Sequence, residues 1–211
     1  MICTARQSAH KRLFQEQQFL YLLMQHELLR NSAKVATALT LLIINPMPAA
    51  PIPANDDERL AALRELLILD TPPEQRFDRL VQFAADEFDV PIALLTFVDR
   101  ERQWFKSRIG LDACETDRDA SICAHAIDSD DTLLIVDALS DPRFADNPMV
   151  IGAPFIRFYV GAPLQIEPGL RVGTLCLIDT QPRGFDAVDM SILGTLRDLV
   201  QEELRRPAEA R

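Results

Sequence analysis

The chain has 211 residues, of which 48% are hydrophobic and 26% charged, with a formal net charge of −10. Such proportions suit one folded domain with an appendage, and they exclude a wholly disordered chain and a membrane-spanning one. The charge is divided, because residues 1–46 carry five Lys/Arg against two Asp/Glu, while residues 47–211 carry seventeen against thirty; the acidic part repels phosphate backbones and anionic lipid, so neither nucleic acid nor membrane is expected as a partner.

Four cysteines, Cys3, Cys114, Cys123 and Cys176, show no CxxC spacing, which predicts a reducing cytoplasm with no disulfide framework, no metal site and no cofactor. The first 45 residues contain neither Gly nor Pro, and 13–29 are helix-permissive with a broad apolar face. The apolar run 35–44 is too short to span a bilayer, and no targeting signal is read. Four prolines fall between Pro46 and Asn55, so 47–55 reads as an extended linker. For 1–46 two readings stay open: a native helical arm, or an extension upstream of a true start at Met47.

From Asp56 the periods become regular. Leu60, Leu63 and Leu67 define a helix ending before Pro72, and Phe77, Val81, Ala84, Ala85 and Phe88 a second helix with Pro73 in its first turn. Runs 92–99 and 103–110 form a hairpin. The stretch 111–120 shows no period, and Ser121 caps a short helix. A strand over 132–139 follows, then helical turns opened by Asp141-Pro142. Strands over 155–166 and 171–179 flank a turn at 167–170, and a long helix runs from Asp186 to Arg206, with 207–211 as a tail. Its wide apolar stripe predicts a helical seam with 57–69.

This order predicts an α+β fold with an antiparallel sheet. Both alternating sets of 92–98 and of 172–178 are apolar, so the central strands are covered on both faces, by long helices on one and by the loops and short helices of 111–153 on the other. A sheet face roofed by loops is where a pocket is expected.

The segments VPIALLTFVDRERQWFKSRIGLD (90–112), SICAHAI (121–127), DPRFADNP (141–148), IRFYVGAPL (156–164) and GTLCLID (173–179), together with the helical pair at 58–80, resemble the GAF domain family. The resemblance covers about three quarters of the chain. It implies a central sheet of five or six antiparallel strands over 56–206, with long helices on one face and short helices and loops over the other. It further implies a regulatory, ligand-binding role in bacterial signal transduction, in two-component or cyclic-di-GMP signalling. The expected partners are an unknown small molecule, a second copy docking through the terminal helices, and a histidine kinase or diguanylate cyclase output module. The chain itself is expected not to be an enzyme.

The candidate ligand-binding residues are Trp104, Ser121, Cys123, His125, Arg143, Phe144, Arg157, Phe158, Tyr159 and Cys176. Cys123 lies in a first helical turn, where the dipole favours thiolate, yet shares an apolar stripe with Ile122, Ala126 and Ile127, as a core cysteine does. A Cys123–His125 dyad is disfavoured, since residues two apart on a helix point apart; His125 aligns instead with Ser121, and the two could bind a polar ligand or be structural. Arg143–Phe144 and Arg157–Phe158–Tyr159 repeat an arginine beside aromatics, suited to an anionic or aromatic ligand or to an Asp–Arg clasp over core aromatics. The alternative function is that of free methionine-(R)-sulfoxide reductase, a GAF-fold enzyme needing reactive cysteines, with Cys114 and Cys123 in that role. Against it, Cys176 stands in GTLCLID where an acidic pocket residue is expected.

Overall fold

A chain that alternates apolar side chains at period two in its strands, and at three to four in its helices, separates into layers. The computed structural model describes residues 49–206, which belong to one unit, 47–211; the readings of 1–46 and 207–211 lie outside the described residues. In chain order the elements are α1 (Asp56–Glu65), α2 (Gln75–Glu87), β1 (Ile92–Val98), β2 (Arg102–Ile109), β3 (Glu115–Asp117), a 3-10 turn (Arg118–Ala120), α3 (Ile122–Ala126), β4 (Leu133–Ile135), α4 (Pro148–Ile151), β5 (Phe158–Glu167), β6 (Leu170–Asp179) and α5 (Ala187–Arg205). The six strands form one antiparallel sheet in the order β3-β2-β1-β6-β5-β4. All seven residues of β1 are buried, as the two apolar sets of that strand require.

Ala93, Leu95 and Phe97 of β1, Leu175 and Leu177 of β6, and Val160, Ala162 and Leu164 of β5 face α2 and α5, whose Phe77, Val81, Ala84, Leu193, Leu196 and Val200 complete that core. Each such large apolar side chain contributes about 1.5–3 kcal/mol on burial. Ile92, Leu94 and Val98 of β1, with Tyr159, Cys176 and Ile178, face the roof residues Ile122, Ile127, Ile135, Phe144 and Val150. Gly173 lets β6 run close beside β1, since a Cβ there would lie 1.9 Å from the Thr96 carbonyl oxygen.

Several boundaries differ from the sequence reading. The first helix stops at Glu65 rather than before Pro72, because Leu67 (φ 49°) and Asp70 (φ 59°) adopt the left-handed region; Leu67 is consequently exposed, not on the apolar face. α2 begins at Gln75 behind an extended Glu74, so Pro73 lies ahead of the helix and not in its first turn. The aperiodic 111–120 stretch contains the edge strand β3, paired with Arg102, Gln103 and Trp104. Asp141 nucleates only turns, and the helical turn is capped by Asn147, whose side chain accepts from Met149 N at 2.8 Å. The long helix starts as predicted, with Asp186 and Asp189 forming a reciprocal capping box. Its partners are α2 and β5, whereas α1 lies on β6. The seam is thus made with α2, where Arg76 Nη1 donates to the Glu203 carbonyl at 2.6 Å.

Candidate functional site beneath the roof

Strand alternation puts a polar strip down the middle of the roof-side face. Thr96 and Thr174 stand opposite each other on β1 and β6 and join their hydroxyls at 3.1 Å. Two residues along β6, Cys176 meets Cys123 of α3, with the sulfurs 3.6 Å apart. Cys123 is delivered there by α3, whose N-terminus is fixed by Ser121: its hydroxyl accepts from Ala124 N at 3.0 Å and donates to Gln103 Oε1. Gln103, reaching up from β2, donates through Nε2 to Cys123 Sγ at 3.1 Å. Tyr159 Oη donates to the same sulfur at 3.2 Å, and its ring lies across Gly161, where a Cβ would come within 2.1 Å of the hydroxyl.

Every member of this strip is buried, so its polar groups are held by one another rather than by water. Burial pushes the Cys123 thiol up, but the hydrogen bonds of Cys176, Thr174, Tyr159 and Thr96 outweigh it and hold Cys123 below the ordinary thiol range. The Cys123 contact and burial push Cys176 well above it, and burial does the same to Tyr159. The pair is therefore chemically asymmetric, with Cys123 the more acidic sulfur.

The ten candidates divide. Ser121, Cys123, Tyr159 and Cys176 come together in the strip. Phe144 is buried in the roof beside them, with His125 edge-on to its ring at 5.0 Å between centroids. Burial and the charge of Arg143 hold the His125 imidazole below its usual range, opposed by Asp128, and among the described residues its Nε2 has no hydrogen-bond partner. His125 packs on Phe144, whereas Ser121 bonds Ala124 and Gln103, so the two candidates have different neighbours. Arg143 is half exposed and forms the clasp, reaching Asp141 at 2.6 Å with its guanidinium 5.0 Å from the Phe144 centroid. Arg157 Nη1 donates to the carbonyls of Val150 and Ile156, both at 2.9 Å, and so braces the chain after α4.

Trp104 and Phe158 are on the opposite face, within the helix-side core. Trp104 stacks on Phe97 at 6.5 Å, and Phe158 packs against Phe185 at 5.8 Å. The proposed use of Cys114 with Cys123 is not the arrangement found, since the sulfur facing Cys123 is that of Cys176. Gln103, Thr96 and Thr174 were missed; a lone polar residue inside a run buried on both faces is the signal that marks the two threonines, whereas Gln103 stands in a strand that also carries Lys106 and Ser107 and has no such signal. Two cavities, of about 260 and 180 Å³, lie elsewhere, one between α5 and the β5–β6 turn (Gln165, Glu167, Arg197, Gln201), the other beside Phe88, Phe158, Arg183 and Phe185. Both are smaller than the ~300–1,000 Å³ usual for ligand sites.

Residues 72–204 match the model of the GAF domain. Over 138 residues the chain is 44% identical to a cyclic di-GMP phosphodiesterase of Pseudomonas aeruginosa, a match covering 65% of this chain and 24% of that protein. The chain thus spans about a quarter of the length of this relative. The expectation that the chain is not an enzyme is overturned by this match, since the relative is named as one. Among solved structures, the GAF domain of an Acinetobacter phosphoenolpyruvate-protein phosphotransferase superposes with a TM-score of 0.51 at 17% identity, covering 70% of this chain and 92% of that one. A type II free methionine-R-sulfoxide reductase of Thermoplasma acidophilum does so with a TM-score of 0.51 at 14% identity, covering 61% and 89%. Likeness at such identities shows the fold alone, and no helix among the described residues is long and apolar enough to cross a membrane. With a family model spanning well over half its length and a six-stranded antiparallel sheet between a helical layer and a roof of short elements, the chain belongs to the GAF domain family.

Proposed function

We propose that the domain is a regulatory module of bacterial cyclic-di-GMP signalling in which the seating of the roof on the sheet is the variable that is read out. The observation that carries this reading is Arg171. Standing near the start of β6, it donates from Nε to the Ile127 carbonyl at 2.6 Å and from Nη2 to the Asp128 carbonyl at 3.2 Å, and pairs with Asp130 at 2.6 Å. It thereby ties the end of α3 to the β5–β6 turn. Both ends of the domain meet the β5–β6 hairpin: Asn55 Nδ2 donates to the Gly169 carbonyl of its turn at 3.1 Å, and Gln201 Oε1 of α5 accepts from Gln165 N, near the end of β5, at 2.6 Å. A change under the roof has a short bonded route to the segments that enter and leave the domain.

In this reading a small-molecule effector acts in the cytoplasm by lifting the roof, since the side chains beneath it already touch the sheet. Its differential affinity for the lifted state sets how far the equilibrium moves. A second copy docks on α2 and α5, where Phe83, Val188 and Leu199 are exposed. The output partner is the phosphodiesterase machinery of cyclic di-GMP turnover, the context that the 44% relative supplies.

Hydrogen exchange on the full chain, wild type against Arg171→Met, tests the route. Loss of protection at 122–130 together with 197–206 supports it; loss at 122–130 alone refutes it. In cells, overproduction of the wild type shifts the cyclic di-GMP level and overproduction of Arg171→Met does not. A melting point unmoved by any member of a metabolite panel that includes cyclic di-GMP would remove the small-molecule part of the reading.

A further inference from the structure

We propose that Cys123 and Cys176 are a modification site, a buried thiol pair that a hydroperoxide converts into an intrachain disulfide, pinning the roof helix α3 to the central strand β6. The proposal stands on the geometry of the two thiols and holds whichever output the domain serves.

Both cysteines are free, and their sulfurs are 3.6 Å apart against about 2.05 Å in a disulfide, so an approach of about 1.5 Å completes the bond. The two residues are 53 apart in sequence and belong to different layers, so the bond would join roof to sheet and not merely close a local turn. Displacement is easiest on the α3 side. That helix has five residues, entered through one side-chain cap at Ser121 and left through a turn in which Ile127 N bonds the Cys123 carbonyl at 3.1 Å. Roof elements this short open locally at a small fraction of the global unfolding free energy, and the same opening admits a small oxidant. Cys176, by contrast, is fixed between paired neighbours Leu94 and Gly161 on β1 and β5.

The chemistry divides by the asymmetry already described. Cys123, the more acidic sulfur, attacks one peroxide oxygen as thiolate; an S–O bond forms, the O–O bond breaks, and the departing oxygen takes up a proton and leaves as water or alcohol. The sulfur of Cys176 then attacks the resulting Cys123 sulfenic acid; the S–S bond forms, the S–O bond breaks, and water leaves carrying the Cys176 proton. In sum two thiols give up two electrons to one peroxide. The neighbouring Tyr159 hydroxyl, 3.2 Å from Cys123 Sγ, is placed to stabilise the thiolate before the first step.

The test uses the full chain, reduced, desalted and treated with hydrogen peroxide, then denatured, alkylated, digested and analysed by mass spectrometry. The expected main product is a cross-linked peptide containing Cys123 and Cys176, two hydrogens lighter than the pair of reduced peptides. In Cys176→Ser the cross-link is lost and Cys123 accumulates as a sulfenic acid trapped by dimedone. In Cys123→Ser the cross-link is lost and Cys176 is recovered alkylated. Recovery of both thiols alkylated from the treated wild type overturns the proposal, whatever the fold of the variants. So does a Cys123–Cys114 link, or conversion of Cys123 to sulfinic acid without coupling to Cys176.

Discussion

Replacing Gly161 by alanine tests the packing of the site with one methyl group. The added Cβ would stand 2.1 Å from Tyr159 Oη, 2.7 Å from Cζ and 2.9 Å from Cε1, all closer than real carbon contacts permit. Tyr159 is among the largest fully buried side chains, and its ring has no solvent to swing into. Overpacking of this kind costs about 1–3 kcal/mol, and pushing the hydroxyl away from Cys123 forfeits a hydrogen bond worth about 0.5–1.5 kcal/mol. The combined effect is about 2–4 kcal/mol, which in a chain of this size lowers Tm by roughly 4–16 °C. Thermal or urea unfolding of Gly161→Ala, Tyr159→Leu and the double variant measures it. In the double variant the clash is gone, so the two effects must fall short of additivity by at least about 1 kcal/mol. Strict additivity, or a Gly161→Ala variant as stable as the wild type, would show that the Tyr159 ring does not lie across residue 161.

Asp56 holds two buried arginines, Arg59 at 2.9 Å and Arg118 at 3.1 Å, so Asp56→Asn, which leaves both without a carboxylate, is expected to cost about 3–5 kcal/mol. Burial pushes the Asp56 carboxyl up, yet the hydrogen bonds of Arg118 and Arg59 hold it below its ordinary 3.8. A depressed folded-state value contributes stability that is present above pH 3.8 and is lost as the pH falls through that depressed value; a pH series of urea midpoints should therefore show a flatter acid limb in Asp56→Asn than in the wild type. Ser121→Ala removes the cap of α3 and a partner of Gln103, lowering stability by about 0.5–2 kcal/mol and raising amide exchange at Ala124 more than in α2. Phe83→Glu with Leu199→Glu should convert any dimer to monomer in sedimentation velocity while leaving the circular dichroism spectrum unchanged; a dimer that survives the pair places the interface elsewhere.

The layering was legible because it depends on local period: the doubly apolar strands 92–98 and 172–178 are covered on both faces, and Ser121 and Asp186 cap the helices that their side chains predict. What the period does not reveal is which of two alternating sets looks toward the roof. Trp104 and Phe158 were assigned to the wrong side for that reason, since a one-residue change of phase exchanges the two faces. On β2 the phase is further disturbed by a register shift between Leu95 and Thr96 on its partner strand, where Leu95 pairs with Ser107 and Thr96 with Phe105. The intervening Lys106 turns its ammonium to Glu74 at 2.6 Å, beneath the α1–α2 connection. Contacts that bind distant segments were out of reach altogether. The Thr96–Thr174 pair is 78 residues apart and the Arg171–Ile127 bond 44, and no local pattern brings such positions together.

The two faces of the sheet are built to different standards of permanence. On the helix side, elements of 13 and 19 residues cover an interface that is almost wholly apolar, so opening it exposes large side chains with nothing gained in return. On the roof side, helical elements of three to five residues and their connecting loops cover a strip of hydroxyls, thiols and an amide that water can satisfy once the roof lifts, which returns part of the cost of opening. A module whose purpose was only to hold two copies together would gain stability from filling that strip with leucine and valine. In the proposed reading, keeping Gln103, Ser121, Cys123, Tyr159 and the two threonines beneath the shortest elements of the fold holds the energy gap between seated and lifted roofs small, so that an effector can overturn it and the Cys123–Cys176 disulfide, acting the opposite way, can lock the seated state.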